Sequence, residues 1–157
     1  MAFKFDYLLL TAPEKADLPT TERTGYLEEW TAGYGIKEVS EILREEQRRE
    51  PKAKIVVGTE GYFGTLPDGL QMYLYDAPEI TVIGVGIFID EIPSSLSESK
   101  EAGNKTYLVV NNTRLKGDAL KLGLELIAAY PKALRTEGTK EYIIYGPQEA
   151  LLFFEVK

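Results

Sequence analysis

The chain has no cysteine and no histidine. The first absence excludes disulfides and thiolate nucleophiles. The two together exclude Ser-His-Asp and Cys-His constellations and zinc sites built on sulfur or imidazole. Acid–base chemistry is left to Asp, Glu, Lys and Tyr, and any bound metal would be a hard cation held by oxygens. A cysteine-free chain suits a reducing or an oxidising compartment alike. Long apolar runs are also missing, since no segment approaches the ~20 residues of a membrane span. The apolar stretch at residues 7–10 lacks the basic start, long core and cleavage site of a signal peptide. The chain as given therefore reads as soluble. Positive charge is scarce: 18 Lys and Arg stand against 25 Asp and Glu, for a net charge of −7. Binding to nucleic acid, which needs clustered cations, is not expected.

What is present is ordinary globular material. With 157 residues, 44% hydrophobic and 27% charged, the chain is long enough to bury a core without staples, and one α/β domain over residues 1–157 is expected. Residues 3–11 alternate and then turn apolar, which predicts a first strand. Residues 11–26 are polar, carry Pro13 and Pro19, and predict a long surface loop. A helix is predicted over residues 36–49, with Ile36, Val39, Ile42 and Leu43 on one face and Pro51 as its stop. A strand at 54–57, a short helix at 66–75 and a glycine-spaced strand at 80–89 follow. Next come a helix at 95–102 and a strand at 106–110. Asp118 predicts the cap of a helix over 119–130 ended by Pro131. Segments 141–145 and 150–156 around Gly146-Pro147 predict an antiparallel hairpin. The alternation predicts a Rossmann-like three-layer α/β sandwich. Its sheet is mostly parallel, with helices on both faces and the C-terminal hairpin as an antiparallel edge.

The stretch Ile55-Val56-Val57-Gly58-Thr59-Glu60-Gly61-Tyr62-Phe63-Gly64 reads as a buried strand running into a glycine-rich turn and a helix start at Pro67. A second glycine-rich stretch, Gly33-Tyr34-Gly35, also runs into a helix. Loops at the ends of parallel strands are the usual ligand positions of open α/β sheets, and helix starts suit phosphate or carboxylate. Neither stretch is a dinucleotide fingerprint or a P-loop. Their glycines serve either tight turns and close packing or a bound ligand. Glu60 either pins its loop through backbone N–H groups or contacts a ligand, as hydrogen-bond acceptor or as base. Trp30, Tyr34, Tyr62 and Phe63 are either core lids or stacking surfaces for sugars or other planar groups. Asp90 and Glu91 follow a strand and read as a solvated turn rather than a carboxylate pair. Asn104-Lys105-Thr106 and Asn111-Asn112-Thr113 match the glycosylation acceptor pattern.

The run from Trp30 through Gly33-Tyr34-Gly35-Ile36-Lys37-Glu38, with residues 55–70, resembles the soluble C-terminal part of bacterial membrane glycosyltransferases. These belong to the dolichyl-phosphate-mannose–protein mannosyltransferase-like (glycosyltransferase 39-like) group. Leu8-Leu9-Leu10-Thr11-Ala12-Pro13 and Glu22-Arg23 fit the same pattern. The chain departs from it at Glu22, Glu29 and Thr31, where the family carries Asp, Gly and Pro. The resemblance implies an extracytoplasmic accessory or binding domain of a polyprenyl-phosphosugar-dependent transferase, beside the transmembrane part of its parent. It implies a glycan, sugar phosphate or polyprenyl phosphate as ligand. It supplies no catalytic residue, metal or cofactor, because the catalytic carboxylate of that superfamily lies in the membrane part. The expected ligand-binding residues are Trp30, Gly33, Tyr34, Gly35, Gly58, Thr59, Glu60, Gly61, Tyr62, Phe63 and Gly64. The residues alone leave open a stand-alone enzyme or binding protein for a phosphorylated sugar or nucleotide, with Glu60 as base, and a purely structural docking module.

Overall fold

A computed structural model of the chain describes residues 2–157. Five strands form one sheet: β1 (Ile55–Glu60), β2 (Ile80–Gly86), β3 (Lys105–Asn111), β4 (Leu124–Leu134) and β5 (Gln148–Val156). Their order is β2-β1-β3-β5-β4. β1 pairs in parallel with β2 and β3, while β5 runs antiparallel to both β3 and β4. The helices are α1 (Ala2–Thr11), α2 (Thr20–Arg23), α3 (Ile36–Arg49), α4 (Thr65–Tyr73), α5 (Ser94–Glu101) and α6 (Lys140–Tyr145).

The strands have apolar side chains at both odd and even positions, so both faces of the sheet are covered. On one face Ile55, Val57, Val109 and Phe153 meet Val39 and Leu43 of α3 and Leu70 of α4. On the other, Leu108, Val110, Phe154 and Val156 meet Leu96 of α5 and Ile89. Each such side chain contributes about 1.5–3 kcal/mol when fully buried. α3 follows its 3.6-residue pattern, with Glu38 in its first turn and Arg48 and Arg49 in its last. Glu46 and Glu50 near its end both pair with Lys105 at the start of β3, which ties helix to sheet.

Four expectations are corrected. Residues 3–11 form helix α1, not a strand, and Phe3, Tyr7 and Leu10 are exposed on it. Its leucines are good helix formers, and the alternating aromatics find no strand partner to make the shorter period count. The polar stretch 11–26 is not a plain loop. It holds a 3₁₀ turn at Pro13–Lys15, α2, and the start of a π-turn at Thr24–Glu28. Arg23 fastens these pieces by donating to Glu28 at 2.6 Å and to the Glu14 carbonyl at 2.7 Å.

Residues 119–130 do not form a helix. The Asp118 carboxylate does accept from the Leu120 and Lys121 N–H groups, but it closes a turn. The chain then enters edge strand β4, which continues through Pro131. Leu and Ala favour helix locally, and pairing with β5 overrides that preference. An edge strand tolerates proline because one row of its N–H groups is unpaired. Segment 141–145 is likewise not a strand but α6, capped by the Thr139 hydroxyl, which accepts from Tyr142 N–H. The antiparallel partner of β5 on the outer side is β4, so the C-terminal pair is joined by a connection that includes α6.

Candidate functional site

β1 ends in a buried carboxylate. The Glu60 side chain accepts from the Asn111 backbone N–H at 2.6 Å and from the Asn111 Nδ2 at 2.7 Å. Asn111 ends β3, so this pair locks the tips of two neighbouring parallel strands. Burial pushes the Glu60 carboxyl up from its ordinary range, against the lowering effect of its bonds to Asn111 and of the Arg114 and Lys132 charges. Both oxygens are engaged, so Glu60 is a pinned acceptor rather than a free base. Among the described residues the buried Asn111 Oδ1 has no hydrogen-bond partner.

Above this pair opens a cleft of about 260 Å³. Glu60, Gly61 and Leu66 line it, and Trp30, Tyr62 and Phe63 add aromatic surface. Ile87 and Arg114 complete it. Tyr62 and Phe63 are exposed at 65% and 81%, so their rings are contact surface and not core lids. The Arg114 guanidinium carbon lies 4.6 Å from the centroid of the Trp30 ring and 5.0 Å from that of Phe88. Trp30 and Arg114 are also walls of a second cleft of about 320 Å³, which includes Glu29, Thr113 and Glu141.

A buried ionic cluster fixes the segment that presents Trp30. Arg135 donates to both carboxylate oxygens of Glu29, at 2.5 and 3.2 Å, and to Glu149 at 2.5 Å. Thr113 donates its N–H and hydroxyl to Glu149, at 3.1 and 3.0 Å. Lys132 Nζ donates to the Glu29 carbonyl at 2.9 Å. Burial lowers the Lys132 amine to about 8, although the carboxylates of Glu149, Glu60 and Glu29 pull it upward. Lys132 of β4 and Arg135 just beyond it, with Glu149 of β5 behind Arg135, therefore hold Glu29, the neighbour of Trp30, through charged side chains nearly closed to solvent.

Of the sequence-derived site residues, Trp30, Glu60, Gly61, Tyr62 and Phe63 come together around the first cleft. Gly58 and Thr59 are buried within β1, and an added Cβ at Gly58 would stand 2.7 Å from Leu96. Gly64 gives its N–H to the Asp68 carboxylate at 2.8 Å, so this start of α4 is occupied by its own side chain. Gly33, Tyr34 and Gly35 lie outside the residues that line either cleft. Gly35 has φ +86° and sits against the Tyr130 ring, a packing role that only glycine fills. The two glycine-rich segments do touch, where the Thr65 hydroxyl donates to the Thr31 carbonyl at 3.0 Å. Asp90 and Glu91 are exposed, as a solvated turn should be. Asn111 is buried and bonded to Glu60, which removes it as a glycosylation acceptor in the folded chain.

Arg114, Asn111, Ile87 and Phe88 are site residues that the sequence reading missed. Arg114 reaches Trp30 only because the turn after β3 bonds back, with Arg114 N–H donating to the Asn111 carbonyl and Ile89 N–H to the Arg114 carbonyl. Among the described residues no group of three or more acidic side chains gathers in metal-holding geometry, and no helix is long and apolar enough to cross a membrane. Comparison of the chain with protein-family models, with curated proteins and with solved structures returns no match in any of the three.

Proposed function

We propose that this chain is a carbohydrate-binding module. In this reading it acts as the extracytoplasmic accessory domain of a polyprenyl-phosphosugar-dependent membrane glycosyltransferase, holds glycan or acceptor, and does not transfer sugar alone. The observation that carries the reading is the gathering of Trp30, Tyr62 and Phe63 around one cleft over a locked carboxylate. Sugars present flat C–H faces and hydroxyl edges, and aromatic rings with nearby polar groups complement both. The site lies at the tips of parallel strands β1 and β3. The β2-β1-β3 order, with α3 and α4 on one face and α5 on the other, supports a Rossmann-like three-layer sandwich, whose ligands gather at strand tips. Helix α1 supports a partner of apolar character: Phe3, Tyr7, Leu9 and Leu10 are exposed, and its main neighbour is the turn that follows it. The transmembrane part of the parent enzyme is that partner in this reading.

The test is a titration of the isotope-labelled chain with neutral mono- and oligosaccharides and with polyprenyl-phosphate analogues, followed by NMR. Saturable shifts at the Trp30 indole and the Gly61, Tyr62 and Phe63 amides are expected. Flat spectra at these positions with every compound would refute the reading.

A further inference from the structure

Arg114 is the cation in the aromatic cleft that has nothing to pair with. The residue is partly buried, yet among the described residues its side chain makes no ion pair and no hydrogen bond. Arg23, Arg44 and Arg135 each hold a carboxylate. The chain carries 25 acids against 18 bases, so a shortage of acidic partners does not explain the gap. The guanidinium instead lies over the Trp30 and Phe88 rings, 4.6 and 5.0 Å from their centroids. These ring contacts use none of its N–H groups in a hydrogen bond to the protein, and the planar guanidinium fork suits phosphate or carboxylate oxygens. Lys116 lies over the same Phe88 ring at 5.2 Å and adds a second positive charge.

The acids nearby do not take this role. Glu60, in the lining of the cleft, spends both oxygens on Asn111; the Arg114 and Lys132 charges both act on it, but neither side chain bonds it. Glu29 is tied to Arg135. Glu141 lines the neighbouring cleft, which shares Trp30 and Arg114 with the aromatic one, yet it forms no ion pair with Arg114; the aromatic cleft has no carboxylate in its lining besides Glu60.

We infer that the ligand of this cleft carries an anionic group, a phosphate ester or a carboxylate, received by Arg114 while its body stacks on Trp30, Tyr62 and Phe63. The inference rests on the carbohydrate-binding reading and narrows it to acidic or phosphorylated sugars.

Calorimetric titration of the whole chain with matched sugars tests it: glucose and mannose, their 1-phosphates, and glucuronate. In low salt the charged member of a pair should bind roughly ten- to a hundredfold tighter than the neutral one, the range of a hydrogen bond to a charged group. The advantage should shrink as salt is added. The more tightly held of 1-phosphate and glucuronate identifies the anion. Arg114→Gln should abolish the preference, and Arg114→Lys, which keeps charge but not the planar fork, should retain part of it. Equal binding of neutral and charged sugars to the unaltered chain overturns the anion inference and leaves the stacking site standing. If none of these sugars binds, the carbohydrate reading itself fails and the inference falls with it.

Discussion

Arg135 stands at the centre of a buried ionic cluster. Its guanidinium and the Glu149 carboxylate are both closed to solvent, and Glu29 completes the triad at 12% exposure. Replacing one ion of such a group leaves the others buried without a counter-charge. Arg135→Met should therefore cost about 3–5 kcal/mol of stability, read from urea denaturation. A loss below about 1 kcal/mol would mean that the cluster is looser than its bonds imply. Lys132 adds a pH signature. Its folded amine releases its proton near 8, whereas an unfolded lysine holds it to 10.5. Between those values the folded state carries fewer protons than the unfolded one, so stability rises with pH across the window. Relative to Lys132→Met at each pH, the unaltered chain should gain up to about 3 kcal/mol from pH 8 to 10.5. A difference that stays flat would place the amine in water.

At the level of elements, the loop after β1 leans on β2 through a position with no room for a side chain. A Cβ at Gly84 would stand 2.3 Å from the Gly61 carbonyl oxygen and 2.9 Å from the Tyr62 Cα. Both are backbone atoms, so the loop itself must move. Gly84→Ala should cost about 1–3 kcal/mol. It should also speed amide hydrogen exchange at Gly61, whose N–H bonds the Gly86 carbonyl, by opening one side of the cleft. Unchanged exchange at Gly61 would show that the loop does not depend on this contact. Elements whose apolar period and end signals agree were legible from sequence. α3 matches its expected span, and β1, β2, β3, α4 and α5 fall where their runs and stops placed them. β4 was hidden because Leu, Ala and Lys read as helix, and its strand character comes from a partner, β5, further along the chain. The helix signal of α6 lay in the Thr139 cap, which the neighbouring Ile143 and Ile144 masked.

In the molecule as a whole, the aromatic cleft is assembled from four separated parts of the chain: Trp30, residues 60–66, Ile87 and Arg114. The glycine-rich run after β1 announced the second of these, and Trp30 marked the first. Arg114 carried no local signal, because its place depends on a turn after β3 meeting a loop after β2. Of the helix starts expected from the glycines, that of α4 is taken by Asp68, and that of α3 follows Gly35, which packs on Tyr130 away from the lining of either cleft. The proposed ligand site therefore lies not at helix ends but at aromatic rings beside the Arg114 guanidinium. Trp30 is the chain's single tryptophan and lines the cleft, so its fluorescence reports on that site without interference. Titration with glycans should change the emission saturably, and Tyr62→Ala, exposed and free to be cut back without unfolding, should weaken the response several-fold. Emission that stays constant across neutral, acidic and phosphorylated glycans, in a chain whose circular dichroism is that of the folded state, would contradict the account.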